Sequence, residues 1–214
     1  MSSGYVPVHS VKTNISRELL INGLISVNTK LLGQFNFENV LAAVAMADYL
    51  KISPKIIQKA VFSFRGIKRR LELIKENNHI LFFDDFAQSA PRIKSTIEAI
   101  SLHFPQRPIK IFYQPHASFL QHKSSLLGLK KAFEKATEIV LGPLKFTQKL
   151  DNKRRIAAKD FKNQIGSKLI YLPLEKQILD HYRNSLQSND IFIYMSSGGL
   201  SGNRILKSII KNFE

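Results

Sequence analysis

Residues 84–88 read Asp-Asp-Phe-Ala-Gln and follow a short apolar run, residues 80–83, that has the character of a buried strand. Two adjacent carboxylates are costly to desolvate there unless a cation, a sugar hydroxyl or a basic group meets them. The carboxyl ends of strands are also where open α/β sheets bind ligands. The pattern therefore indicates a ligand-facing loop. The alternative is an ordinary solvated turn that caps the helix opening near Pro91.

Other polar side chains lie where predicted elements begin or end. Asn36 and Asn39 stand three residues apart at a helix start, so they share a face and offer amide groups of the kind that hydrogen-bond an adenine edge. An N-cap is the alternative role for Asn36. Arg70 is predicted to lead a strand with Glu72 on the same face, where a surface ion pair is the alternative role. His116 follows a strand end, and hydrogen bonding within its loop is the alternative to ligand contact.

Composition narrows the class of protein. The 214 residues are 44% hydrophobic and contain no cysteine, which excludes disulfides, zinc–thiolate sites and cysteine nucleophiles. No apolar run is long enough to span a bilayer and no signal-peptide core is present, so we expect a cytoplasmic protein. The net charge of +16 is scattered, with its densest stretch at 149–162, and this favours a general lysine bias over a nucleic-acid-binding face.

From about residue 79 onward, strand-like runs alternate with segments of helical period. The predicted strands are 80–83, 109–113, 138–141, 168–172 and 191–195. The predicted helices are 91–103, 121–136, 155–165, 174–187 and 202–213. This alternation predicts an α/β fold, a Rossmann-like and mostly parallel sheet with helices on both faces.

The first 78 residues have a different pattern. Strand-like stretches in residues 19–31 surround an Asn22-Gly23 turn signal, and a second helix opens with Ser53 as N-cap and Pro54 at its first position. An amphipathic helix is predicted over residues 39–50, with this apolar stripe: Val40, Leu41, Val44, Ala47 and Leu50. We therefore predict two domains, residues 1–78 as the end of a larger domain and residues 79–214 as a complete α/β domain.

Four segments, taken in order, carry the features of one enzyme family. They are residues 33–43 (GQFNFENVLAA), 64–72 (FRGIKRRLE), 84–88 (DDFAQ) and 113–116 (YQPH). Together they resemble the Mur ligases, the ATP-dependent amide ligases of peptidoglycan synthesis and recycling. The YQPH segment is similar to the branch that acts on UDP-N-acetylmuramate, rather than to the folate-polyglutamate or cyanophycin relatives. Residues 195–199 (MSSGG) are similar to a turn in the same branch. In this chain, Gly198 and Gly199 together with Gly202 are expected to form a tight turn, and an anion-binding nest is the alternative.

The resemblance implies that the chain binds ATP with magnesium, a UDP-muramyl substrate, and an amino acid or peptide. It implies nucleotide binding by four residues: Asn36 and Asn39 toward adenine, Arg70 toward phosphate or ribose, and Asp85 toward the ribose hydroxyls. His116 and Gln88 are implied on the substrate side, with His116 contacting a carboxylate or phosphate. Asp84 is expected to be a structural cap.

Three departures from the family pattern qualify this prediction. No P-loop of the form G-x-x-G-K-[ST] is present in the 214 residues, so the family's chemistry would need an upstream polypeptide to supply it. Gln88 and Ala117 stand where the family carries histidine and arginine. We therefore expect no activity from this chain alone, as a shortened ligase, a split-gene product or a decayed paralogue. The alternative is a non-catalytic basic module that binds nucleic acid or an anionic polymer.

Overall fold

The computed structural model describes residues 17–21, 25–145, 155–197 and 203–213, and it divides the chain into two compact units, residues 1–67 and 68–214. The division falls earlier than the predicted one at residue 78, because the strand Glu72–Asn77 pairs within the sheet of the second unit. The interpretation of the two units as parts of two ligase domains remains a prediction. Among the described helices, none has the length and apolar character needed to cross a membrane.

The first unit consists of an antiparallel hairpin and two helices. Its elements are β1 (Arg17–Ile21), β2 (Ile25–Thr29), α1 (Gln34–Tyr49) and α2 (Pro54–Ser63). The hairpin and both helices were predicted, and α2 begins with Ser53 as N-cap and proline at its first position. The Asn22-Gly23 turn lies outside the described residues.

Helix α1 buries a different stripe from the predicted one. Its buried residues are Phe37, Val40 and Val44, which follow the i, i+3, i+7 spacing of one helical face. Leu41 and Leu50, which the sequence placed on this stripe, are exposed. The prediction was wrong at these two positions because α1 is apolar on more than one face, and periodicity cannot then identify the buried face.

The second unit is built on a six-stranded sheet. The strands are β3 (Glu72–Asn77), β4 (Ile80–Asp85), β5 (Ile109–Gln114), β6 (Glu138–Leu141), β7 (Leu169–Tyr171) and β8 (Ile191–Ser196). They lie in the order β3-β4-β8-β5-β6-β7, with β3 antiparallel to β4 and every other pair parallel. The mostly parallel sheet predicted from the alternation of strands and helices is confirmed.

Helices cover both faces of this sheet. They are α3 (Ala90–His103), α4 (Leu129–Ala132), α5 (Ala158–Ile165), α6 (Glu175–Ser185) and α7 (Asn203–Lys211). Side chains of α6 and α7 form one core with Phe82, Phe112 and Phe192. On the other face, Tyr113 meets Phe133 and Phe161 in edge-on ring contacts.

The predicted helix over residues 121–136 is broken into short pieces. Two 3-10 turns, Phe119–Gln121 and Lys123–Leu126, precede the four-residue α4. The break occurs because Gly128 adopts a left-handed conformation, with φ 80°, immediately before α4.

Candidate functional site

The carboxyl ends of three neighbouring strands bring polar residues to one edge of the sheet. Strand β8 lies between β4 and β5, so that Asp84 is beside Tyr194 and Gln114 is beside Ser196. Ser196 Oγ donates to Gln114 Oε1 at 3.2 Å, and Gln114 Nε2 donates to the Pro143 carbonyl at 3.1 Å. These bonds tie together the strand ends and the loop after β6, at the edge where parallel sheets bind ligands.

Asp84 is a buried ion-pair partner. Its side chain is 1% exposed, and Oδ2 lies 3.5 Å from Nε of Arg69. Burial raises the pKa of Asp84 to about 6, although the positive charge of Arg69 acts in the opposite direction. Arg69 also donates from Nη2 to the Ser196 carbonyl. Asp84 therefore links β4 to the loop before β3, which differs from the helix cap expected for it.

Asp85 is also buried, and its carboxylate has several internal hydrogen bonds. Oδ2 accepts from the backbone N–H of Leu71 at 2.8 Å and from the Thr96 hydroxyl at 3.2 Å. Burial raises the pKa of Asp85, whereas hydrogen bonds from Ala87, Thr96 and Leu71 oppose the rise. Asp85 thus connects β4 to α3 and to the loop before β3. That Asp85 accepts hydrogen bonds from ribose hydroxyls stays a prediction.

Arg70 lies in a tight loop and not in a strand, because β3 begins only at Glu72. The prediction that Arg70 and Glu72 share one face of a strand was therefore wrong. The flanking residues Arg69 and Leu71 both have positive φ angles, 61° and 51°, which interrupt the extended backbone. The side chain of Arg70 is exposed, and its guanidinium carbon lies 5.9 Å from the centre of the Phe86 ring.

Gln88 and His116 are brought together at the same edge. Oε1 of Gln88 accepts a hydrogen bond from the backbone N–H of His116 at 2.8 Å, and its Nε2 donates to the Ala87 carbonyl at 3.1 Å. The Gln88 carbonyl in turn accepts from the Tyr113 hydroxyl at 3.0 Å. The two residues expected on the substrate side are thus neighbours, and Gln88 fixes the start of the His116 loop.

The hydrogen bonds of the His116 ring determine where its proton lies. Nδ1 is 2.8 Å from the Ser118 hydroxyl and accepts from the Ser118 backbone N–H at 3.2 Å. A backbone N–H can only donate, so Nδ1 must be an acceptor and the neutral ring carries its proton on Nε2. The side chain is exposed. The Nε2–H is thus the donor that remains for an acceptor such as a carboxylate or phosphate oxygen.

The two asparagines belong to the first unit. Asn36 Nδ2 donates to the Leu32 carbonyl at 2.8 Å, and the residue at the N-cap of α1 is Gly33. The alternative interpretation of Asn36 as the N-cap was therefore wrong. Asn39 is exposed in the first turns of α1.

Two further expectations are addressed only in part. Among the residues that the structure describes, no group of three or more histidine, cysteine or acidic side chains is placed to hold a metal ion. The glycine turn at residues 198–202 lies outside the described residues, as do residues 149–154 of the basic stretch 149–162.

Sequence reasoning missed three residues of this site: Arg69, Gln114 and Ser196. All three lie inside segments that the sequence indicated, but the predicted contacts were their neighbours Arg70 and His116 and the glycines after Ser196. The role of Ser196 comes from the register of β8 between β4 and β5, which no local pattern shows.

The sheet order defines a Rossmann-like α/β domain, with polar residues at the carboxyl edge of the sheet. No family model matches the chain. It is 28% identical over 171 residues to the UDP-N-acetylmuramate–L-alanine ligase of Desulfitobacterium hafniense, an alignment that covers 78% of this chain and 38% of the relative. The chain matches the C-terminal portion of the Mur ligase family, as its motifs predicted.

Solved structures show the same fold. The UDP-N-acetylmuramate–alanine ligase of Thermotoga maritima superposes with a TM-score of 0.69 at 19% identity, covering 92% of this chain and 44% of that one. The MurF ligase of Thermotoga maritima, solved in complex with ADP, gives the same TM-score at 14% identity, with coverage of 92% and 43%. The chain spans a little under two fifths of the length of the curated relatives it matches.

Proposed function

We propose that this chain is the C-terminal portion of an ATP-dependent ligase that joins an amino acid or peptide to UDP-N-acetylmuramate in the cytoplasm. The observation that carries the proposal is the carboxyl edge of the sheet. Arg70 lies in the loop before β3, Asp85 is the last residue of β4, and Gln88 and His116 follow β4 and β5. This arrangement offers a guanidinium, buried carboxylates and an imidazole at the edge where α/β sheets bind ligands.

The nucleotide side of the proposed site in the second unit is formed by Arg70 and Asp85. In the first unit, Asn36 and Asn39 are the residues that the resemblance implies for adenine. The exposed guanidinium of Arg70 suits phosphate or ribose oxygens, because it presents several donors in a planar array. Asp85 is the nearby acceptor for ribose hydroxyls. Exposed Asn39 is better placed for an adenine edge than Asn36, whose amide already bonds to the Leu32 carbonyl.

The substrate side is formed by His116 and Gln88. The exposed Nε2–H of His116 can donate to the carboxylate of the incoming amino acid or peptide, or to a phosphate oxygen. Gln88 replaces a family histidine, and in this chain it holds the His116 backbone. Its amide cannot become cationic, and the ring donor on this side is the Nε2–H of His116.

In Mur ligases ATP phosphorylates a muropeptide carboxylate, and an amino group then attacks the acyl phosphate and releases phosphate. The residues described here bind and orient; they do not include a P-loop. We therefore propose that the phosphate-binding loop and the magnesium site are supplied by a P-loop segment outside these 214 residues, whether on the same polypeptide or on a separate one.

A chimera tests this proposal. The part of the Desulfitobacterium hafniense ligase that this chain does not match is joined to the chain, and phosphate release is measured with ATP, magnesium, UDP-N-acetylmuramate and an amino acid or peptide. We expect phosphate release that depends on both substrates, and loss of it in a His116→Ala chimera. A chimera that is folded and binds ATP but forms no amide product with L-alanine or peptides would contradict the proposal.

The net charge of +16 supports a second candidate, a non-catalytic module that binds nucleic acid or an anionic polymer. Such binding should weaken steeply, by about a hundredfold or more, between about 50 and 200 mM salt if several phosphates are contacted. Salt-dependent binding to RNA or DNA without any response to ADP would favour this second function.

A further inference from the structure

The loop Arg69–Leu71 is held in an unusual backbone conformation around Arg70. Arg69 and Leu71 have φ angles of 61° and 51°, in the left-handed region that residues with a side chain rarely adopt. Such positions persist only where the surrounding structure enforces them, and they concentrate at ligand-binding and active sites. The two strained residues stand on either side of one exposed arginine.

Two carboxylates, which accept hydrogen bonds from the loop, and the chain after β4 hold this loop. The Arg69 N–H donates to Glu72 Oε2 at 2.8 Å, and the Arg69 carbonyl accepts from the Phe86 N–H at 2.9 Å. The Leu71 N–H donates to Asp85 Oδ2 at 2.8 Å. The loop is thus anchored on both sides of Arg70 by backbone groups.

The side chain of Arg69 completes the anchoring. It forms the ion pair with buried Asp84, donates to the carbonyl of Ser196 at the end of β8, and lies 5.2 Å from the centre of the Phe86 ring. Arg69 is therefore occupied within the protein, whereas the adjacent Arg70 is exposed. The two arginines have different tasks although they are adjacent and chemically identical.

We propose that Arg69 and Asp84 are positioning residues, which hold the strained loop so that the guanidinium of Arg70 meets the phosphate or ribose oxygens of a bound nucleotide. This inference rests on the proposed function, and it adds a role for two residues that do not themselves contact the nucleotide. A buried carboxylate and two strained residues are unfavourable for the fold alone, and positioning Arg70 accounts for their presence together.

The charged and titratable groups facing Asp84 come from three strands and the loop. They are Arg69, Glu72 on β3, Asp85 on β4 and Tyr194 on β8. Arg69 is the only cation of this set, so the ion pair depends on Asp84 being ionised. Above about pH 6 the pair is formed, and below it protonation of Asp84 removes the negative charge that Arg69 meets.

The test is a double-mutant cycle on ADP affinity at about pH 7.5, measured by NMR titration of the isotopically labelled chain. We expect Asp84→Asn and Arg69→Lys each to weaken ADP binding about fivefold. In an Arg70→Ala background, the same two substitutions should change ADP affinity less than about twofold, because they act through Arg70. The NMR signal of the Arg70 guanidinium should shift with ADP in the wild type and respond less in Asp84→Asn.

Asp190→Asn is the matched control. Asp190 is another buried carboxylate, paired with Lys110 at 2.8 Å, but it precedes β8 at the opposite edge of the sheet. We expect this variant to leave ADP affinity unchanged. Equal effects of Asp84→Asn in the presence and absence of Arg70, or no effect in a folded variant, would overturn the inference. A wild-type chain that does not bind ADP would instead overturn the nucleotide role in the proposed function.

Discussion

The side-chain Oε1 of Gln88 accepts a hydrogen bond from the backbone N–H of His116 at 2.8 Å, and this bond joins the loops that follow β4 and β5. Position 88 carries histidine in the family that the chain resembles. In this chain glutamine at position 88 therefore connects the two loops, and His116 supplies the imidazole at this edge.

Replacing Gln88 by alanine should loosen the loop that carries His116. The His116 N–H would lose its acceptor, so we expect its hydrogen exchange to accelerate about tenfold, equivalent to about 1.4 kcal/mol of local opening free energy. Hydrogen exchange followed by NMR measures this directly. Gln88→Glu is the control, since its carboxylate keeps an acceptor oxygen at the same place. Unchanged exchange in Gln88→Ala would show that the bond does not hold the loop.

Asp84 should make the folded state less stable as the pH rises from about 4 to about 6. Its pKa is raised to about 6 from an ordinary value near 3.8, so the folded state binds the proton more tightly than the unfolded state does. Stability from this group is greatest below the unfolded pKa and is lost as the pH rises through the folded pKa, by about 2–3 kcal/mol in all.

Asp84→Asn removes that titration. We therefore expect the variant to be more stable than the wild type at pH 7.5, by about 1–2 kcal/mol, and the difference to shrink toward pH 4. Urea unfolding at a series of pH values gives the comparison. A variant that is less stable than the wild type at pH 7.5 would mean that the ion pair with Arg69 outweighs the cost of burying the carboxylate.

Most of the architecture of the second unit was predictable, because each buried strand is a short apolar run and the apolar residues of each helix recur at helical spacing. The geometry at the carboxyl edge of the sheet was harder to predict from the sequence. Arg70 was placed in a strand because sequence patterns do not reveal the positive φ angles of Arg69 and Leu71. The ion pair between Arg69 and Asp84 depends on the contact between a loop and a strand fifteen residues apart, which no local pattern encodes.

Helix α1 is a second element for which the periodicity of apolar residues did not predict the buried face. Val44 is buried and Leu41 is about half exposed, although both are apolar residues of the same helix. We expect Val44→Ala to lower the free energy of unfolding of the first unit by about 1–2 kcal/mol. Leu41→Ala should change it by less than about 0.5 kcal/mol. Chemical denaturation of the two variants measures both values, and a larger effect at Leu41 would contradict the structure.

Gly142, just after β6, should not tolerate a side chain. A Cβ at this position would lie 2.5 Å from Cζ and 2.8 Å from Cε2 of Phe112, whose ring is fully buried and stacked on Tyr194 at 4.8 Å between ring centres. Because the ring has little room to move, Gly142→Ala should cost about 2–3 kcal/mol of stability.

Gly166→Ala is the comparison for Gly142→Ala. No atom lies within 4 Å of a Cβ at residue 166, but its φ of 96° is unfavourable for alanine. We expect a cost of about 1 kcal/mol, from the backbone alone. Equal thermal stability of the Gly142→Ala variant and the wild type would contradict the packing described around Phe112.

The most direct test of nucleotide binding at the carboxyl edge is an NMR titration of the labelled chain with ADP. The account predicts saturable shifts that are concentrated at the backbone amides of Arg70, Asp85 and Phe86. It also predicts that Arg70→Ala weakens the binding that these shifts report, so that more ADP is needed to reach saturation. Saturable shifts elsewhere, or none at ADP concentrations of about 10 mM (where a binding energy of only about 3 kcal/mol would be visible), would contradict it.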